Sequence, residues 1–318
     1  MKAVSISQAL ETGDLASVRR APKADSHCHC YFATRIENVE RWLGHSLERP
    51  ATPMRGLRGM LSYSSRTLDP YINSLAGFKF TAESAVADAV EDGIRRLEMS
   101  FDVRATGHFE TGFAGFTSFI RQLVESHRGR IDLRPELGIA RESLGSAEIE
   151  NSVREGIDSG LFRSIDIYGE EDACPLEMVR GLYARARLSG MKLKAHVGEF
   201  EGAEWIRETA EVLELDEIQH GIAAAESAEV MEWLAENRIR LHICPSSNVM
   251  LGATPSLADH PIRVLFDCGV EVTVNTDDLM IFGQSVSQEY MNLFRAGVFS
   301  ADELESIRAA SLGESRPD

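Results

Sequence analysis

Short apolar runs alternate with longer amphipathic stretches about eight times along this chain, and that alternation limits the folds open to it. The runs are "KADSHCH" (23–29), "IRRLEMSF" (94–101), "IDLRPELGIA" (131–140), "FRSIDIYG" (162–169), "KLKAHVG" (192–198), "EIQHGI" (217–222), "IRLHICP" (239–245) and "VEVTVNT" (270–276). Stretches between them carry apolar residues at three- and four-residue intervals, the period of a helix with one buried face. "TAESAVADAVEDG" opens on a Thr81 cap and stops at Gly93, and "PLEMVRGLYARARLSG" runs from Pro175 to Gly190. Parallel neighbours need a crossover connection, so repeated strand–helix units imply a parallel sheet. Eight units in 318 residues predict a (β/α)8 barrel, an α/β fold, spanning 1–318 as a single domain with extra helical lid segments after the first strand. An open doubly wound sheet would place a glycine-rich phosphate turn after an early strand. Here the first strand runs into "HCHCYFATR", which has none.

The chain is 43% hydrophobic, enough for a sizeable core. Its net charge of -17 repels phosphate backbones and anionic headgroups, so neither nucleic acid nor a membrane surface is an expected partner. The expected partner is a small molecule. Five scattered cysteines argue against a disulfide scaffold and fit a reducing cytoplasm. The N-terminal "MKAVSISQALETGDLASVRR" has no continuous apolar segment, so no signal peptide is expected. No run approaches the roughly 18 apolar residues of a membrane-spanning helix.

Chemistry in such barrels gathers at the C-terminal ends of the strands. His27 and His29 lie near the end of the first run, His196 near the end of the fifth and His220 near the end of the sixth. Asp277 and Asp278 directly follow the eighth, which barrel closure brings beside the first. A lone strand histidine is ordinarily a packed or surface residue. A His-X-His pair is more informative, because strand side chains alternate and the two rings point the same way. Cys28 then faces the helices as a small hydrophobe, and Cys30 falls in the loop. With His196 and Asp277 the set becomes three neutral nitrogens and one carboxylate. That set suits one catalytic Zn2+ with a position left for water, whose pKa the ion would bring towards about 7.

The segments "KADSHCH", "AHVGE", "IQHGI", "CPSSN" and "VTVNTDD" occur in that order, within a stretch from about Pro22 to Ser311. Together they resemble the adenosine deaminase family of the amidohydrolase superfamily. The resemblance implies zinc-dependent hydrolytic deamination of an adenine-type purine (nucleoside, base or nucleotide), with release of ammonia. It implies that His27, His29, His196 and Asp277 are the zinc ligands. Glu199 is similar to the family's proton donor to the ring nitrogen beside the reacting carbon. His220 would orient or deprotonate the attacking water. Asp278 would hold that water and contact the imidazole side of the purine, and the Gly169 backbone N–H would bind the ring. Binuclear relatives carry a bridging lysine on the fourth strand; "RSIDIYG" has none, which favours one zinc per chain. An amide or cyclic-ester hydrolase of the same superfamily is the alternative, and a non-catalytic zinc-binding barrel is a third reading.

The chain departs from the family pattern at three places. Family members follow His-X-His with Leu, an acid and Gly, and the acid helps hold the ribose. Here the residues are Cys30, Tyr31 and Phe32, so Tyr31 becomes the candidate substrate contact. His242 stands where a glutamate is common; it either alters the surroundings of His220 or is simply packed. Arg35, Arg41, Arg49, Arg55, Arg58 and Arg66 crowd the segment after the first strand. They read first as a solvated, partly helical lid. The sharper alternative is a guanidinium clamp for a phosphate or carboxylate on the substrate.

Overall fold

The computed structural model describes residues 5–314, so the first four residues of the stretch read for a leader lie outside it. Eight parallel strands follow one another in chain order: β1 (Lys23–His29), β2 (Ile94–Asp102), β3 (Asp132–Ala140), β4 (Ser164–Tyr168), β5 (Lys192–Val197), β6 (Glu217–His220), β7 (Arg240–Ile243) and β8 (Val272–Val274). Each lies within two residues of an expected run. Helices separate them, including Leu176–Leu188, Ala203–Leu213 and Ala228–Glu236. The sheet closes where the chain beyond β8 meets β1. The Asp277 N–H donates to the His27 carbonyl at 2.9 Å, and the Ser26 N–H donates to Asn275 Oδ1 at 2.9 Å. The Thr276 hydroxyl donates to Asp25 at 2.6 Å. This is the nearly closed (β/α)8 barrel that the alternation predicts.

The register of β1 on β2 slips by one residue between Asp25 and Cys28. Beyond that bulge, alternation turns the imidazoles of His27 and His29 towards the barrel and leaves Cys28 buried on the helix side.

Several helices intervene between β1 and β2, among them Ile36–Leu43, Gly56–Thr67 and Leu75–Glu91. The last corrects the expected start at Thr81. Ser74 is the cap and accepts from the Gly77 N–H at 3.1 Å, while Thr81 lies inside the helix and donates to the Phe78 carbonyl. Gly77 disguises this turn in the sequence. A Cβ there would lie 2.4 Å from the Ile72 carbonyl oxygen, so close backbone packing demands glycine. Phe78 anchors the helix, with its ring centroid 5.8 Å from Phe119, 5.9 Å from Phe116 and 5.3 Å from Tyr31. Phe78→Ala should lower stability by about 3–5 kcal/mol in chemical denaturation, through lost burial and the cavity left behind. A loss below about 1 kcal/mol would show that this cluster does not anchor the helix.

The barrel interior beneath the mouth is polar. Lys194, fully buried, sits 2.7 Å from Glu98, 2.9 Å from Glu136 and 3.7 Å from Glu217. Burial alone would lower its pKa, but the three carboxylates hold it above the ordinary lysine value. His242 belongs to this layer. Its Nε2 lies 3.1 Å from Glu217 and its Nδ1 lies 2.8 Å from the Thr273 hydroxyl. Its side chain is thus packed in the interior, and it meets the histidine cluster through its backbone carbonyl, 3.1 Å from His27 Nδ1. Among the described residues, no helix is long and apolar enough to cross a membrane.

Candidate active site

A cavity of about 650 Å³ opens at the C-terminal mouth of the barrel. His29, His196, Glu199, His220, Asp277, Asp278, Tyr31 and Gly169 all line it, and His27 lies against His29, His196 and His220. The backbone turns out of four strands through left-handed residues: Gly169 (φ 99°), Gly198 (φ 72°), His220 (φ 63°) and Asp277 (φ 61°). For His220 and Asp277 that conformation carries a strain of about 1–3 kcal/mol each, held by the surrounding structure.

The geometry of the histidines fits a cation. His27 Nε2 and His196 Nε2 face each other at 3.0 Å. His27 Nδ1 points at the His242 carbonyl, and His196 Nδ1 hydrogen-bonds Asp166 Oδ1 at 3.2 Å. Those partners accept, so each Nδ1 carries the proton and each Nε2 presents a lone pair. Burial, first of all, holds both rings well below the ordinary histidine pKa and therefore neutral. Two opposed lone pairs repel unless a cation sits between them. Two candidate triads share His27: one joins it to His196 and His220, the other to His29 and Asp277, whose Oδ1 lies 3.6 Å from His27 Nε2 and 3.5 Å from His29 Nε2. Ligands on arms of about 2.1 Å around a tetrahedral ion stand about 3.4 Å apart, in line with these separations. The ligand atoms of His220 and Cys244 also lie near Asp277. Burial raises the Cys244 thiol well above its usual pKa, which makes it a poor donor.

Beside this cluster, burial, then the charges of Asp277 and Glu171, hold the Glu199 carboxyl well above the usual carboxylate range. The Asn248 amide donates to Glu199 Oε1 at 2.7 Å and to His220 Nδ1 at 3.2 Å, tying the two together. His220 is kept neutral by burial, its pKa lowered to about 3. Asp278 is also buried, its pKa pushed well up by burial and by Asp277, and its Oδ1 has no hydrogen-bond partner in the protein.

Gly169 leaves space that any other residue would fill: a Cβ would lie 2.5 Å from Glu142 Oε1. The Tyr31 hydroxyl lies 2.9 Å from His108 Nε2, at the cavity edge. None of the six arginines of the lid segment lines the cavity. Arg35 pairs with Asp88 and Glu91, Arg49 with Glu37 and Glu40, Arg58 with Glu170 and Arg66 with Glu48. Arg41 hydrogen-bonds the Asn38 side chain and the Glu37 carbonyl. The clamp is therefore not formed at the cavity, and the chain's own carboxylates take four of the six guanidinium groups. The lid instead turns Leu57, Met60 and Leu61 to the cavity.

Sequence reasoning missed Asp166 and Asn248. A signal existed for Asp166, an acid in the middle of the apolar strand "SIDIY". Asp166→Asn should weaken metal binding by about 10–100-fold, because the histidine loses the carboxylate that orients it. Titration against a competing chelator measures this, and wild-type affinity in the variant would refute it.

A parallel eight-stranded barrel with a candidate His/Asp cation site at its C-terminal mouth fits the class of metal-dependent (β/α)8 hydrolases. Within that class, the adenosine deaminase family model matches residues 67–316. The chain is 32% identical over 291 residues to a Treponema pallidum (strain Nichols) protein described as "Putative adenosine/adenine deaminase", covering 92% of this chain and 97% of the relative. It is 25% identical to the adenosine deaminase of Clostridium acetobutylicum, with 90% of each chain covered. The crystal structure of adenine deaminase from Arthrobacter aurescens superimposes with a TM-score of 0.73 at 25% identity, over 91% of this chain and 93% of that one. The chain belongs to the adenosine deaminase family.

Proposed function

We propose that this protein is an aminohydrolase that removes the exocyclic amine of an adenine-type purine as ammonia, with one Zn2+ held by His27, His29, His196 and Asp277. The observation that carries the reading is the buried Glu199, tied through Asn248 to His220 beside two opposed histidine lone pairs. Relatives described as adenosine and adenine deaminases support the adenine ring as the substrate's reacting part. A bound Zn2+ supplies Lewis acidity and ionised water near neutral pH.

The remaining work falls to the chain's own side chains. An aromatic carbon bearing an amine is a weak electrophile until the adjacent ring nitrogen gains a proton. Burial disfavours the Glu199 carboxylate and raises its pKa, which suits it to hold that proton and give it to the ring. Neutral His220, whose Nδ1 accepts from Asn248, carries its proton on Nε2 and orients the attacking water. The unpartnered Asp278 Oδ1 orients that water and the far side of the purine. Gly169 and Tyr31 bound the space where the ring and its substituent lie. The leaving amine takes up the proton of the added hydroxyl and departs as ammonia, leaving a ring carbonyl. β4 carries no lysine, and the Lys194 ammonium is taken by three glutamates, so a single ion suits the site.

One hydrophobic cluster reaches from Ile6 to Ile307, which supports a single domain. All five cysteines are free, which supports a reducing compartment such as the cytoplasm. Purified zinc-loaded protein offered adenosine and adenine should release ammonia from at least one. Hydrolysis of amides or cyclic esters with no ammonia from any aminated purine would overturn the reading in favour of the other hydrolase class.

A further inference from the structure

The loop that carries Glu199 is held from the neighbouring strand by a carboxylate. Glu171, buried at 6% exposure, stands just beyond β4. Its Oε2 accepts the Gly198 N–H at 2.6 Å. Its Oε1 accepts the N–H groups of Glu199 at 2.9 Å, Phe200 at 2.9 Å and Glu201 at 3.5 Å. Four successive N–H groups thus converge on one carboxylate, an anion nest filled by the chain's own side chain. Gly198 makes the nest possible. Its φ of 72° starts the turn, and a Cβ there would lie 2.3 Å from Ile206 Cδ1. These four residues lie between the end of β5 and the helix that begins at Ala203, so no strand ladder or helix satisfies their N–H groups. The adjacent acid behaves differently: Glu170 turns outward to Arg58.

We propose that Glu171 is the positioning residue for Glu199. It fixes the backbone on which the proton donor stands, and so the placement of its carboxyl against the purine ring nitrogen. The inference rests on the reading of Glu199 as that donor. Loss of the Glu171 carboxylate leaves four N–H groups without their acceptor, and the loop must move to find others. A shift of about 1 Å in a catalytic group can slow the chemical step by about 100-fold while binding is little changed.

The test compares Glu171→Ala and Glu171→Gln with the zinc-loaded full-length protein. For Glu171→Ala, kcat should fall by about 100-fold, with KM within about threefold of wild type and zinc still at one equivalent. Amide hydrogen exchange at Gly198–Glu201 should speed up in the same variant. Glu171→Gln keeps one oxygen for Glu199 and Phe200 but turns an NH2 group towards Gly198, so its kcat should fall in between, by about 10-fold. Wild-type kcat in both variants, a kcat loss matched by loss of zinc, or unchanged exchange at 198–201 would each overturn the proposal. If Glu171→Ala does not fold, Glu171→Gln decides by the same three readings. A wild-type protein without deaminase activity would count against the proposed function, and the exchange comparison would still decide whether Glu171 anchors the loop.

Discussion

Glu199→Gln is expected to reduce kcat by about 10²–10⁴-fold while the protein still binds one zinc and keeps its stability. That loss equals about 3–5 kcal/mol of transition-state stabilisation, within the range of a single general acid. Glutamine preserves the shape and can still accept from the Asn248 amide, so the position of His220 is undisturbed. What it cannot do is give up a proton. The pH dependence of the wild-type enzyme should report the same group. Burial raises the Glu199 pKa above its ordinary value, so the active protonated form is full at low pH and is lost as pH rises through that raised pKa. Neutral His220 titrates at the other side, its pKa lowered to about 3, so no acid-side loss from it should be visible near pH 6. The alkaline limb of kcat/KM should vanish in Glu199→Gln. Near-normal turnover in that variant, or an unchanged alkaline limb in its residual activity, would remove Glu199 from the mechanism.

The orientation of His27 and His29 was legible because it depends on local facts, whereas Glu199 was named from the family resemblance. Period-two alternation fixes which face His27 and His29 occupy, and strand ends fix the mouth of the barrel. The positions that escaped depend on partners remote in sequence. Asp166 and Glu171 are single acids in or just after β4, and nothing local says that one holds a histidine on β5 and the other four amides beyond it. The barrel interior also breaks the apolar-inside rule. Nothing in "KLKAHV" marks Lys194 as buried, yet three glutamates from β2, β3 and β6 surround it. The lid arginines fail for the same reason. A guanidinium reads as a free cation until its partner is known, and the partner of Arg58 is Glu170, 112 residues away. Long-range pairing of charges is the part of this fold that pattern cannot supply.

Removal of the metal should abolish deamination and loosen the fold around the mouth. Chelation is expected to cut activity by more than about 1000-fold, and added Zn2+ should restore it, because no side chain here replaces the ion as a source of ionised water. Stability should fall as well. With free zinc at about 1000 times its dissociation constant, binding to the folded state alone contributes about 4 kcal/mol, so the midpoint of thermal unfolding should drop by several degrees. The site itself sharpens this expectation. Without an ion between them, the lone pairs of His27 and His196, 3.0 Å apart, would repel, and burial opposes protonation of either ring. The rings must then move apart, and the hydrogen bonds of His27 to the His242 carbonyl and of His196 to Asp166 must stretch with them. His196→Ala separates the two effects. It removes one lone pair, and with it the repulsion, but also one ligand. Its unfolding midpoint should therefore respond little to chelator, while its activity stays at the metal-free level even with excess Zn2+. If His196→Ala regained wild-type turnover with added zinc, the ion would not be held by this constellation.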